Sequence, residues 1–174
     1  MRQIMKGDLT MVYDNEIIEH AEIGRGSYRN FSGVKSDYNR AGERRFSIFL
    51  PQEAADCLEE TGWYIKHKPP YREGDDPVNQ LDIAVSYDTK DGKFQPPLVK
   101  LFSWDGVKTV LNEETVGMLD SMDIEDAKVT IRPYNWDVNG KTGCKAYLQE
   151  LEVHVRPPRR VLNGNRHRDE EEDF

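Results

Sequence analysis

The chain has 174 residues, with 24 Lys and Arg against 32 Asp and Glu, a formal net charge of −8, and 37% hydrophobic and 10% aromatic residues. Its length suits one domain with short appendages, and no run approaches the ~20 apolar residues of a membrane helix. The opening MRQIMKGDLT lacks a secretory apolar core, and Cys57 and Cys144 lack metal-binding spacing, so a reduced, cytoplasmic protein without metal or cofactor is expected.

In chain order, the first marked segment is basic. Arg25, Arg29, Lys35, Arg40, Arg44 and Arg45 face only Asp37 and Glu43, and Gly33 and Gly42 suit a long bending loop. RRFSIFLP then sets Phe46, Ile48 and Leu50 against Ser47 and Phe49, the period of two that marks a strand. PQEAADCLEETG reads as a helix, with Pro51 in its first turn, Ala54, Ala55 and Leu58 on one side, and Gly62 as its stop. WYIKHK places Trp63 and Ile65 on one face and Tyr64, Lys66 and Lys68 on the other, and the loop KPPYREGDDP follows with Tyr71 and Arg72.

QLDIAVSYD alternates cleanly, and Asp91-Gly92 after it has the composition of a hairpin turn. In PLVKLFSWDG the alternation puts Lys100, Phe102 and Trp104 opposite Val99 and Leu101. NEETVGMLDSM predicts a second helix capped by Asn112, which Gly117 weakens; the stretch from Glu113 to Asp126 contains six acids and no base. AKVTIRPYNWDV and CKAYLQELEVHV form an expected antiparallel pair joined at Asn139-Gly140, with Arg132, Tyr134 and Trp136 opposite Val129 and Ile131. Periodicity ends at Val155, so the expected division is a domain over 1–156 and a flexible basic and acidic tail over 157–174.

Short strands with one or two helices between them suit a small antiparallel barrel or a sandwich. Three segments repeat one pattern, a cation beside rings on the face that ought to be wet. That is what unpaired nucleic acid requires, since cations follow phosphates and rings stack on bases. Rings opposite an apolar face also suit a second core layer under a helix, and strand lysines also block edge pairing. A Mg²⁺-dependent nuclease is a competing reading, through the D-x-K matches Asp88 to Lys90 and Asp126 to Lys128. A β-rich virion protein is another.

The order and spacing of RNFSGVKSDYNRAGERRFSIFL, GWYIKHKPP, LDIAVSYD and IRPYNWDVNGKTGCKAYLQELEV resemble a family of bacteriophage single-stranded-DNA-binding proteins, over roughly Asn15 to Val155. The resemblance implies a mainly β, oligonucleotide-binding-fold barrel that coats single strands in phage replication or recombination, with no catalytic residue. A homodimer is expected only by analogy. The expected DNA contacts are stacking by Phe102, Trp104, Tyr134 and Trp136, phosphate binding by Lys66, Lys68, Lys100 and Arg132, and a loop clamp by Arg40, Arg44 and Arg45. The ending Asp169, Glu170, Glu171, Glu172, Asp173 and Phe174 is similar to the acidic, phenylalanine-terminated tails of such proteins. It implies a polyanion that competes with DNA and a terminal ring that docks on partner proteins of replication or recombination.

Overall fold

The computed structural model describes residues 11–24, 28–37, 39–70 and 72–158. The expectations for Arg25, Tyr71 and the tail Asp169 to Phe174 lie outside these residues.

The architecture is mainly β and of the oligonucleotide-binding type. Nine strands form one continuous ladder that does not close on itself. They are β1 Glu16–Ile18, β2 Arg29–Asn30, β3 Arg44–Leu50, β4 Lys66–Lys68, β5 Val78–Val85, β6 Leu98–Phe102, β7 Lys108–Leu111, β8 Ile124–Val138 and β9 Lys141–Val155. A helix, α1 Gln52–Thr61, follows β3. No helix among the described residues is long and apolar enough to cross a membrane.

The alternating segments form strands because each has one face to bury. Phe46, Ile48 and Leu50 of β3, Leu81, Ile83 and Val85 of β5, and Val129 and Ile131 of β8 all enter one core. Phe31 stacks on Phe46 there, with ring centroids 4.8 Å apart. Trp63 and Ile65 are buried and Tyr64 is exposed, as the alternation predicts.

The longest elements are β8 and β9, antiparallel neighbours joined at Asn139-Gly140. Both turn residues have positive φ, 52° and 80°, the primed-turn conformation that matches strand twist. The register slips between Thr130 and Ile131, whose partners are Glu150 and Leu148, leaving Gln149 as the extra residue of a bulge. The slip lets Cys144, Ala146 and Leu148, and then Leu151, Val153 and Val155, all point inward.

Several local expectations are corrected. Pro51 is the N-cap of α1 rather than a first-turn residue, though Gly62 ends the helix in the left-handed conformation as expected. Asp91-Gly92 makes a turn but not a hairpin, because the strands that flank it, β5 and β6, do not pair. The second helix shrinks to a 3-10 turn, Val116–Ser121, preceded by a cap in which Asn112 Oδ1 accepts from Glu114 N (2.8 Å) and Thr115 N (3.0 Å). Gly117 lies against Ser32 so closely that a Cβ there would stand 2.9 Å from Ser32 Cβ. Finally, β6 ends at Phe102, and Trp104 belongs to a turn closed by Ser103 N to Val107 O (2.9 Å).

One polar contact fastens α1 to β4 and β5. His67 Nδ1 meets Asn79 Oδ1 at 2.7 Å and Nε2 meets Glu59 Oε1 at 2.8 Å. Asn79 Nδ2 points to Leu50 O and Gln52 Oε1, which fixes its oxygen toward the imidazole. Both ring nitrogens therefore face acceptors and both prefer a proton. The Glu59 bond first, and the Asn79 bond after it, raise the His67 pKa above its ordinary 6.5. A raised folded pKa stabilises fully below 6.5 and loses that contribution as pH rises through the folded value. We expect the stability difference between wild type and His67→Gln, measured by denaturant melts, to be largest near pH 6 and to shrink toward pH 8.5. A difference that stays constant across that range contradicts this.

Candidate nucleic-acid interface

One edge of β5 is taken entirely by β3. The other is divided: β4 pairs with Val78 to Gln80 and β9 with Ile83 and Ala84. The two strands do not meet, and the gap between them is a cavity of about 300 Å³ lined by Tyr64, Lys66, Asp82, Arg45, Trp136 and Lys145. A second hollow of about 320 Å³ adjoins it and adds Tyr87, Glu113 and Tyr147. Glu43, Arg44, Ala84 and Lys145 line both, which makes the two one trough.

The β8–β9 hairpin supplies its aromatic wall. Register pairs Arg132 with Tyr147, Tyr134 with Lys145, and Trp136 with Gly143, so rings and cations alternate across one face. Tyr134 is 48% exposed and meets Tyr147 edge-on at 5.9 Å. The Trp136 indole lies against Gly143, where an added Cβ would stand 2.4 Å from Cζ2. Glycine at this position gives the ring room beside the backbone, and the side chain stays 38% exposed.

The cations fall into two groups. The first rest on rings. The Arg132 guanidinium lies 4.3 Å from the Phe94 centroid and 4.9 Å from that of Tyr147. Lys145 Nζ is 5.2 Å from the Tyr147 centroid, and the Arg45 guanidinium 5.1 Å from that of Tyr28. A ring quadrupole attracts a cation without cancelling its charge, so the cation still presents its field to a phosphate. Among the described residues, Arg132 and Lys145 have no carboxylate within 4.0 Å.

The second group is matched to acids. Lys66 Nζ is 2.5 Å from Asp82 Oδ2, and Arg44, which also lies over Tyr87, is 3.6 Å from Glu113 Oε2. Lys100 sits between Glu150 (3.6 Å) and Glu152 (3.7 Å). Burial opposes the charge on Asp82. Hydrogen bonds from Lys66, Ser47 (2.6 Å) and Gln80 (2.7 Å) outweigh it and hold the carboxyl below its usual range.

Of the residues expected from the sequence, Arg44, Arg45, Lys66 and Trp136 line the trough, and the ladder joins Tyr134 and Arg132 to it. Lys68 is exposed farther along β4. Arg40 is exposed in the loop before β3, whose course is pinned by Asn39 Nδ2 donating to Glu43 O (2.6 Å) and Gly42 N to Gly33 O (2.8 Å). Lys100 and Phe102 lie apart. They flank β9 opposite Glu152 and His154, roughly 20–30 Å along the strand from Lys145. There Phe102 stacks on His154 at 4.7 Å, and Trp104, 53% exposed, occupies the turn beyond.

Lys145, Tyr147, Phe94 and Tyr28 were missed. The first two carry a visible signal, because KAY in β9 repeats the cation-and-ring alternation of the other segments. Phe94 and Tyr28 reach the site from loops and carry none. The two D-x-K acids are not assembled together: Asp88 pairs with Lys90 in its own turn (3.2 Å), and Asp126 with His20 (3.2 Å).

Among solved structures, the chain is similar to the single-stranded DNA-binding protein from bacteriophage Enc34 in complex with ssDNA, at 7% identity and TM-score 0.46, covering 83% of this chain and 88% of that one. A C-terminal truncation of the Enc34 protein aligns at 8% identity and TM-score 0.47, over 83% and 87% of the two chains. The bacteriophage T7 single-stranded DNA binding protein gp2.5 aligns at 16% identity and TM-score 0.38, over 83% and 89%. No curated protein sequence matches. The family model described as "Putative phage ssDNA-binding domain" matches residues 10–157, most of the chain, and the protein belongs to that family.

Proposed function

We propose that the protein is a non-catalytic binder of single-stranded DNA, serving phage replication or recombination in the host cytoplasm, and that the strand lies in the trough between β4 and the β8–β9 hairpin. The observation that carries this reading is the ladder of Arg132, Tyr134, Trp136, Lys145 and Tyr147 on one open face. Bases splayed from a single strand stack on Tyr134 and Trp136, while phosphates run past Arg132 and Lys145. A duplex hides its base faces and gains only the electrostatic part of this interaction, so single strands are preferred.

The tail has a place in the same reading. Asp169 to Phe174 form a tethered polyanion behind a basic linker, at an effective concentration that reaches the millimolar range for short flexible linkers. Such a segment competes with DNA for the basic trough, and a long single strand displaces it. The freed Phe174 ring then suits a partner's apolar pocket, with the adjoining acids meeting cations at its rim.

Mobility shift with labelled oligo-dT tests the reading: single strands bind well ahead of duplex, and affinity falls steeply as salt rises. A probe shortened by added Mg²⁺ supports a nuclease instead, and an unshifted probe a structural protein. Trp136→Ala is expected to cost ~1–3 kcal/mol of strand affinity, and Trp104→Ala almost nothing. Equal losses in the two variants would mean the strand follows another path. Deleting Asp169 to Phe174 is expected to tighten single-strand binding at low salt and to abolish pull-down of partner proteins; unchanged titration and pull-down would remove both roles of the tail.

A further inference from the structure

The notch between β4 and β9 is the cavity of about 300 Å³ that opens where the two strands fail to meet. Tyr64, 65% exposed, lines it from the β4 side and Trp136 from the hairpin, and Asp82 and Lys66 line it as well. Asp82 is fixed from below. Its Oδ1 accepts from Ser47 Oγ and from Gln80 Nε2, and Gln80 Nε2 also donates to Ser47 Oγ at 3.1 Å. Its Oδ2 receives Lys66. A carboxylate offers about four acceptor sites, so one on Oδ2 is left, and the side chain is 29% exposed.

Resting on the single-strand reading above, we propose that this notch is a nucleobase subsite in which Tyr64 and Trp136 flank the ring and Asp82 Oδ2 accepts from an exocyclic amino group, so that cytosine is favoured over thymine. The two pyrimidines have similar size and stacking faces, and both carry carbonyl acceptors for Lys66. They differ at N3, where cytosine accepts and thymine donates, at the thymine C5 methyl, and at C4, the position set toward Asp82, where cytosine has the N4 amine and thymine the O4 carbonyl. Thymine therefore sets an acceptor against the carboxylate, and cytosine a donor.

Tryptophan fluorescence titrations with oligo-dC and oligo-dT of equal length test the subsite. Wild type is expected to bind oligo-dC at least about tenfold more tightly, the lower end of the scale of one hydrogen bond to a charged group. In Asp82→Asn the amide oxygen keeps the bonds from Ser47 and Gln80, and the amide nitrogen replaces Oδ2, so an acceptor becomes a donor. The dC-to-dT ratio should then fall to one or below, with near-ultraviolet circular dichroism confirming the fold. An oligo-dC whose N4 atoms are dimethylated removes the donor with no change to the protein, and should bind wild type no better than oligo-dT. Equal wild-type affinities, an unchanged ratio in the folded variant, or full affinity for the dimethylated oligomer overturns the subsite while leaving single-strand binding intact. Failure of wild type to bind either oligomer overturns both.

Discussion

Everything at the candidate interface depends on how the free edge of β5 is shared. With β3 filling one side, β4 and β9 must divide the other, and they leave Leu81 and Asp82 between them without a strand alongside. A continuous strand there would close the surface and leave no trough. β9 can contribute only Ala146 and Tyr147 because it is committed elsewhere, to β8 along one side and to β6 farther along the other. The Gln149 bulge re-phases β9 between these duties, so that inward residues on both sides of it reach the same core.

An acidic chain that binds a polyanion needs local rather than global charge complementarity. The net charge of −8 repels DNA at long range, and several cations are internally compensated, Lys100 by two glutamates and Lys66 by Asp82. Rings hold Arg132 and Lys145 instead. The stacking orients each long side chain without neutralising it, so positive potential survives where the bases would stack. The acid-paired Lys66 has a different part, since its carboxylate partner brings hydrogen-bonding character to a surface otherwise made of rings and cations.

Much of the fold was legible because its signals are local. Alternation found β3, β5, β8 and β9, Gly62 marked the end of α1, and Asn139-Gly140 marked the hairpin. The failures share a cause, which is that pairing is not local. Asp91-Gly92 announces a turn but cannot say that β6 will leave β5 and join β9 and β7. The ion pairs of Lys100 are equally illegible locally, because Glu150 and Glu152 come from a strand far along the chain. Trp104 kept the alternation of β6, but the Ser103–Val107 turn had already ended the strand. Face alternation marks the ladder on β8, and its other half, Lys145 and Tyr147, follows the same alternation in β9.

Photocrosslinking measures the path of the strand most directly. An oligonucleotide carrying 5-iodouracil, irradiated on the full-length protein and mapped by mass spectrometry, joins bases to the rings they stack on. Crosslinks at Tyr134, Trp136 or Tyr64 are the expected result. Crosslinks confined to Phe102 and Trp104, with the trough unlabelled, would contradict the account.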